Sequence, residues 1–367
     1  MSVTNGSVDR NFWRGKRVFI TGHTGFKGSW LSLWLTELGA VVRGYALAPE
    51  TDPNLFSIIQ LEKRVNHCVG DVTDRAGFTA AVSSFAPEIV FHLAAQPLVR
   101  RSYAEPVRTY ETNVMGTVHL LEACRGLDQL KAIVLVTSDK VYENQERLSG
   151  YRENDRLGGR DPYSSSKACT ELIAQSYRVS FLEAAGPGGP GVALASARSG
   201  NVIGGGDWSE CRLVPDAVRA FTRCEPLEVR NPGSTRPWLH LIDTLRGYLV
   251  LAQALCASRD FAGSWNFGPP REGEWKVAAL ADGLVSEWGG GARWKNCSDP
   301  HKPYEAGQLS LDCSLAYDRL HWIPRIPLAL GIALAVKWYR QYYEHPSDSR
   351  ANSDLLVAQI EQDGMSQ

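Results

Sequence analysis

The chain has few of the features that would point away from a globular enzyme. No stretch approaches the about 18 consecutive apolar residues of a membrane-spanning helix, so no membrane partner is expected. No charge of one sign dominates: 39 basic residues stand against 40 acidic ones, a net charge of −1. That balance removes the general electrostatic reason to bind nucleic acid or an anionic membrane, although local basic pockets remain open. Eight cysteines are scattered without a C-x-x-C or other metal-type spacing, so no metal site is expected. With 367 residues and 44% hydrophobic content the chain can bury a large core without disulfide staples, and reduced thiols in a cytoplasmic protein are the simpler reading. The opening MSVTNGSVDRNFWRGKR has no apolar signal core, in keeping with that compartment. There is no internal repeat of about 20–50 residues, which sets solenoids and propellers aside.

What is present alternates. RVFITG (17–22), VVRGYAL (41–47), VNHCVGDV (65–72), EIVFHLAA (88–95) and KAIVLVT (131–137) are strand-like, and SWLSLWLTELG (29–39) and 107–125 are helix-like. Apolar strands alternating with helices predict an α/β fold, a doubly wound, Rossmann-type parallel sheet covered on both faces. Beyond about residue 190 the composition shifts to short segments rich in Trp and Gly. The expected division is a dinucleotide-binding domain over 1–190, a smaller and partly interleaved substrate lobe over 191–350, and a polar tail over 351–367.

TGHTGFKG (21–28) lies between the first strand and the first helix. Gly22 permits the tight turn, Gly25 a close approach of backbone to pyrophosphate, and Gly28 close packing of helix on strand. The phosphates are expected at the helix N-terminus, where unpaired N–H groups favour anions. Asp71 ends a strand-like segment and is placed to accept from an adenine amine. The small residues of LAAQP (93–97) let a cofactor pass over a strand end. No acid ends the second strand, where a ribose-binding Asp or Glu usually stands; Tyr45 is near that place, and Arg43 is the residue that could face a 2′-phosphate. The choice between NAD and NADP therefore does not follow from that position.

DPYSSSKACTELIAQSY (161–177) begins with Asp-Pro and reads as a helix on which Tyr163 and Lys167 share one face. An ammonium beside the phenol lowers its pKa from about 10. The strand over 131–137 ends in Thr137, Ser138, Asp139 and Lys140, an acid and a base side by side. An ordinary surface ion pair is the competing reading for each couple.

Together these stretches resemble the extended short-chain dehydrogenase/reductase family, and within it the nucleotide-sugar 4,6-dehydratases, most closely the branch acting on CDP-glucose. The resemblance runs over nearly the whole chain: TGHTGFKGSWLSLWL, PEIVFHLAAQPLVR, TNVMGTVHLLEA, TSDK, GYREND, DPYSSSK, GNVIGGGDW, RLVP, RNP, RPW and WNFGP. It implies NAD as a recycled cofactor, a small-molecule CDP-glucose substrate and a homodimer built on the helices at 107–125 and 167–182. The implied reaction oxidises C4, removes water across C5 and C6, and returns hydride to C6. Tyr163, with Thr137 and Lys167, would serve C4; Asp139 and Lys140 would serve the elimination, which a 4-epimerase does not need. Gly22, Thr24, Gly25, Phe26, Gly28, Asp71, Val72, Leu93, Ala94, Ala95, Asn113, Tyr163 and Lys167 are the implied cofactor set. Gln96, Asn201, Arg212, Arg230 and Arg236 are implied for the nucleotide sugar, and HKPYEA (301–306) lies near it without a role.

Family analogy makes Asp139 the acid and Lys140 the base. Ordinary pKa values, about 6.5 units apart, favour the reverse by about 9 kcal/mol. Both assignments stand at this stage. The rival functions are another nucleotide-sugar dehydratase or epimerase, and a noncatalytic NAD-binding scaffold, which would be expected to lack Tyr163 or Lys167.

Overall fold

The computed structural model describes residues 5–147, 149–182, 191–270, 275–298 and 307–365. Most of the Gly/Pro-rich stretch at 186–191, and HKPYEA at 301–306, lie outside them. Seven strands form the main sheet: β1 (Arg17–Thr21), β2 (Val41–Ala46), β3 (Asn66–Val69), β4 (Ile89–His92), β5 (Ala132–Val136), β6 (Ala193–Ser199) and β7 (Gly263–Phe267). All pairings are parallel, in the order β7-β6-β5-β4-β1-β2-β3. The order reverses between β1 and β4, and a doubly wound sheet opens its ligand crevice at that switch, beyond the carboxyl ends of the strands.

Side-chain alternation explains the two covered faces. Val18, Ile20, Ile89 and Phe91 pack on one side with the helices α1 (Phe26–Glu37) and Leu241–Ala257. Phe19, Val90, Ile133 and Leu135 pack on the other with α2 (Arg75–Phe85), α3 (Gly116–Cys124) and α4 (Pro162–Tyr177). α3 continues a helical run from Pro106 through a π-turn at Glu111–Met115.

Residues after 190 contribute two strands, β6 and β7, to this same sheet, alongside the helices Leu213–Thr222 and Val277–Trp288. The stretch expected as a polar tail belongs to a helix, Ser349–Met365, that buries Leu356 and Ile360 in the larger core cluster. Its polar residues are partly inward: Asn352 and Ser353 are buried, and the Asn352 carbonyl accepts from Trp338 Nε1 at 3.0 Å. A mostly polar sequence hid a narrow apolar contact.

The glycine loop is built as its spacing predicts. Gly22 has φ +74°, and a Cβ there would stand 2.7 Å from the Ala94 nitrogen. A Cβ on Gly28 would come within 2.1 Å of the Gly22 carbonyl oxygen, whereas the place of a Cβ on Gly25 has no neighbour nearer than 3.4 Å. Two of the glycines thus close the turn and the third leaves its backbone open. Gly28→Ala is expected to lower stability by about 1–3 kcal/mol through overpacking, read as a lower urea midpoint; an unchanged midpoint would refute this account of the turn.

Candidate active site

Strand β5 is buried throughout, and the chain leaving it keeps its side chains in one cleft. Thr137, Ser138, Asp139 and Lys140 line that cleft with Lys27, Tyr163, Ser199, Asn201, Arg212, Arg230, Arg236 and Trp238. A short 3-10 turn at Asp139–Val141, capped by Ser138, swings the acid and the base inward together.

α4 brings the phenol. Asp161 caps the helix by accepting from Ser164 N at 2.9 Å, and Pro162 occupies the first turn with the φ that a helix start requires. Tyr163 therefore sits in the first turn, its own N–H donating to Ser102 Oγ at 3.1 Å. Burial raises its pKa; Lys140 is the strongest opposing influence, followed by the Ser138 hydroxyl. Lys167, expected to activate the phenol, instead points its Nζ to the Val136 carbonyl at 3.2 Å. Burial pushes Lys167 down to about 8 while Glu171 works against the shift. Lys140 and, more weakly, Arg212 are the cations that act on Tyr163, while Lys167 is held at the carbonyl of Val136, the last residue of β5.

Asp139 is 1% exposed and Lys140 29%. Asp139 Oδ1 accepts from Ser138 Oγ at 2.9 Å and from Lys140 Nζ at 3.5 Å, and Oδ2 has no partner. Two further cleft atoms are buried and unpartnered: Asn201 Oδ1 and Trp238 Nε1. Buried polar atoms seldom go unsatisfied, so three in one cleft mark where a polar ligand belongs.

The arginines divide by what holds them. Arg212 donates to Asp207 Oδ2 at 3.2 Å, Arg230 to the Cys211 carbonyl at 3.1 Å, and Arg236 to the Thr235 and Gly307 carbonyls at 2.9 and 3.2 Å. All three line the cleft, which gives it a cationic end suited to a diphosphate.

Two expected contact residues are scaffold instead. Gln96 spends its side chain on the loop it belongs to: Oε1 accepts from Leu98 N at 2.7 Å, and Nε2 donates to the Leu98 carbonyl and Thr109 Oγ1. Asn113, in the π-turn, accepts from Gln96 N and donates to the Gln96 carbonyl and Ser166 Oγ, so it ties the loop after β4 to α4. In both amides the nitrogen has two acceptors and the oxygen one donor, all from the protein itself. Val72 is likewise a core residue, packed against Gly116.

The remaining cofactor candidates, Thr24, Phe26, Asp71, Leu93, Ala94 and Ala95, follow the carboxyl ends of β1, β3 and β4. Thr24 Oγ1 ties the loop to the Leu47 carbonyl beyond β2 at 2.9 Å. Asp71 Oδ1 accepts from Thr73 N at 2.9 Å. Tyr45 is core, stacked on Phe78 with its hydroxyl donating to the Asp71 carbonyl. Arg43 is turned onto α2, where it reaches the Ala81 carbonyl and Ser84 Oγ and covers Phe85. No cation at the end of β2 is thereby aimed at a 2′-phosphate, which favours NAD over NADP.

Residues 19–261 match the family model described as GDP-mannose 4,6 dehydratase. The chain is also 51% identical to a CDP-glucose 4,6-dehydratase of Salmonella typhimurium, over 91% of this chain and 93% of that one. It belongs to the GDP-mannose 4,6 dehydratase family. A more distant relative, a dTDP-glucose 4,6-dehydratase of Xanthomonas campestris, is 26% identical over 87% of this chain and 92% of its own. The fold is shared with a Streptomyces venezuelae dTDP-glucose 4,6-dehydratase solved with NAD (TM-score 0.75, 23% identity, 89% of this chain and 98% of that one). It is shared equally with a UDP-glucose 4-epimerase of Thermotoga maritima (TM-score 0.75, 22% identity, 89% and 99%).

Sequence reasoning missed three charged residues in and behind the cleft. Lys27, inside the glycine loop, reaches Ser199 Oγ at 3.0 Å, and burial pushes it down to about 7. The other two are Glu171 and Arg198, an ion pair of 2.7 Å with both side chains 2% exposed. Glu171 was legible in principle, since Tyr163, Lys167 and Glu171 recur every four residues along α4. Arg198 in a buried strand was the second signal.

Proposed function

We propose that the protein is a hydro-lyase that converts CDP-glucose to its 4-keto-6-deoxy product and water, with NAD recycled within each turnover. The observation that carries this is the meeting of Tyr163 with the Asp139–Lys140 pair in one cleft. A scaffold needs neither group, and an epimerase has no use for the pair. The 51% identity to a CDP-glucose enzyme favours the cytidine nucleotide over others.

The crevice fits a dinucleotide. Gly25 presents open backbone at the start of α1, and Gly22 and Gly28 have no room for side chains. Gly22, Thr24, Gly25, Phe26 and Gly28 would hold the pyrophosphate half, Asp71 the adenine end, Leu93, Ala94 and Ala95 the passage over β4, and Lys167 the nicotinamide half. Bound there, NAD would supply the hydride acceptor for C4 and the donor for C6. Tyr163 acts as the phenolate, which Lys140 and the Ser138 hydroxyl favour against burial; it receives the C4 hydroxyl proton, and Thr137 touches the same oxygen. Asn201, Arg212, Arg230 and Arg236 grip the nucleotide diphosphate.

For the elimination we assign Asp139 as base toward C5–H and Lys140 as acid toward the departing C6 hydroxyl. Asp139 Oδ1 is surrounded by donors, which favours the carboxylate, and Oδ2 is left to act. The assignment asks the carboxyl group to accept and the amine to donate, and the two stay in contact through Oδ1.

That no disulfide joins the eight cysteines, all within the described residues, supports a reducing, cytoplasmic setting. Homodimer formation is supported by exposed apolar residues on two neighbouring helical stretches: Val107 (69% exposed), Tyr110 and Met115 on one, Leu172 (55%), Val179 and Phe181 on the other. Light scattering is expected to give a dimer mass for the parent and a monomer for Val107→Asp/Leu172→Glu; a monomeric parent would contradict the dimer.

Incubation with CDP-glucose in deuterated water, followed by NMR, tests the function and the assignment together. The expected product is the 4-keto-6-deoxy sugar with deuterium at C5. Lys140→Ala should retain C5 exchange while losing water release, and Asp139→Asn should lose exchange. Formation of the C4 epimer would overturn the function, and the opposite mutant pattern would overturn the assignment.

A further inference from the structure

Behind the cleft, away from any position a sugar can reach, lies a polar cluster that the reaction scheme leaves unexplained. Glu171 Oε1 accepts from Thr137 Oγ1 at 2.5 Å. Its other oxygen accepts from Ser196 Oγ at 2.6 Å, Arg198 Nη2 at 2.7 Å and Ser264 Oγ at 3.1 Å. Arg198 is in turn fixed by the Tyr142 hydroxyl, which donates onward to Asn266 Oδ1, and by the Glu153 carbonyl. β5, β6, β7 and α4 all contribute, so the carboxylate has little freedom to turn.

From this arrangement we infer that Glu171 is a positioning residue that fixes the direction of the Thr137 hydrogen bond: Thr137 offers the substrate lone pairs and no proton. The argument rests on donor counting. An ionised carboxylate can only accept, and a threonine hydroxyl has one proton to give. Arg198, Ser196 and Thr137 hold Glu171 below its ordinary pKa despite burial, which raises it, so the carboxylate stays ionised. The single Thr137 proton is therefore committed backward, and what faces the cleft is an acceptor.

The consequence deepens the proposed function and rests on its placing Thr137 at the C4 oxygen. Thr137 can take a hydrogen bond from the C4 alcohol but cannot give one to the C4 ketone. Its contact thus favours the substrate before oxidation and lapses once the ketone forms. The donor to the ketone oxygen must then be the Tyr163 phenol, newly protonated, and Thr137 does not assist it. The Glu171–Arg198 pair sets this asymmetry without touching the sugar.

The test reads a preference, which a merely structural role would not move. In the NAD-loaded protein carrying Tyr163→Phe to stop turnover, calorimetry would compare CDP-glucose with the analogue bearing fluorine in place of the C4 hydroxyl. Fluorine cannot donate, so the hydroxyl form should bind about tenfold more tightly. Glu171→Gln is nearly isosteric. Its amide oxygen can keep the three donors at Oε2, which leaves its NH2 to donate to Thr137 and turn that hydroxyl toward the cleft. The preference should then fall, because Thr137 would offer a proton that either sugar can accept. Should that variant fail to fold, binding of the 4-keto sugar to Thr137→Val decides: loss of the lone pairs facing the ketone should leave it unchanged or tighter, and weaker binding would show that Thr137 donates. An undiminished preference in folded Glu171→Gln, or weaker ketone binding in Thr137→Val, overturns the inference while leaving the function intact. Failure of the parent to bind or convert CDP-glucose would instead sink the function on which the inference stands.

Discussion

Desolvation at the end of β5 is the constraint on which the site depends. The strand is apolar and fully buried, and it runs directly into Thr137–Lys140, of which only Lys140 keeps appreciable exposure. Polar groups placed there must be paired or must wait for a ligand. The protein does both. Thr137 is paired backward with Glu171, Lys167 with the last carbonyl of the strand, and Asp139 with Ser138 and Lys140 on one oxygen. The atoms left over belong to Asp139, Asn201 and Trp238, all residues that line the cleft.

The same burial separates the tasks of the titratable groups. It raises Tyr163 and lowers Lys167 and Lys27, bringing the ammonium groups toward the range in which they can lose a proton. The buried Glu171–Arg198 pair, 2.7 Å apart, is too well neutralised to take part. Truncating one partner of such a buried pair typically costs about 3–5 kcal/mol, which is why the cluster serves as a rigid reference for what stands in front of it.

Much of this was legible in the sequence because local rules dictated it. The glycine spacing, the Asp-Pro helix start before Tyr163 and the apolar run into TSDK each specify a backbone geometry, and each appears as expected. What could not be read was the choice among hydrogen-bond partners. Gln96 and Asn113 stand in stretches shared with the family, yet they satisfy each other, and a linear sequence does not show which amides are already used. The partner of Lys167 was hidden for a similar reason: helical spacing places it on the Tyr163 side of α4, but not the carbonyl from another strand that it reaches. Membership of β6 and β7 in the main sheet follows from crossovers of high sequence separation, which composition does not encode.

The account stands or falls on one hexose meeting both groups of side chains. A crystal structure of the Tyr163→Phe protein with NAD and CDP-glucose tests this most directly. The sugar is predicted to lie with C4 at residue 163 and Thr137, C5 toward Asp139 Oδ2, and the C6 hydroxyl toward Lys140 Nζ. A sugar ring seated away from Asp139 and Lys140, with those side chains turned from it, would contradict the dehydration chemistry and leave only a nucleotide-sugar oxidoreductase fold.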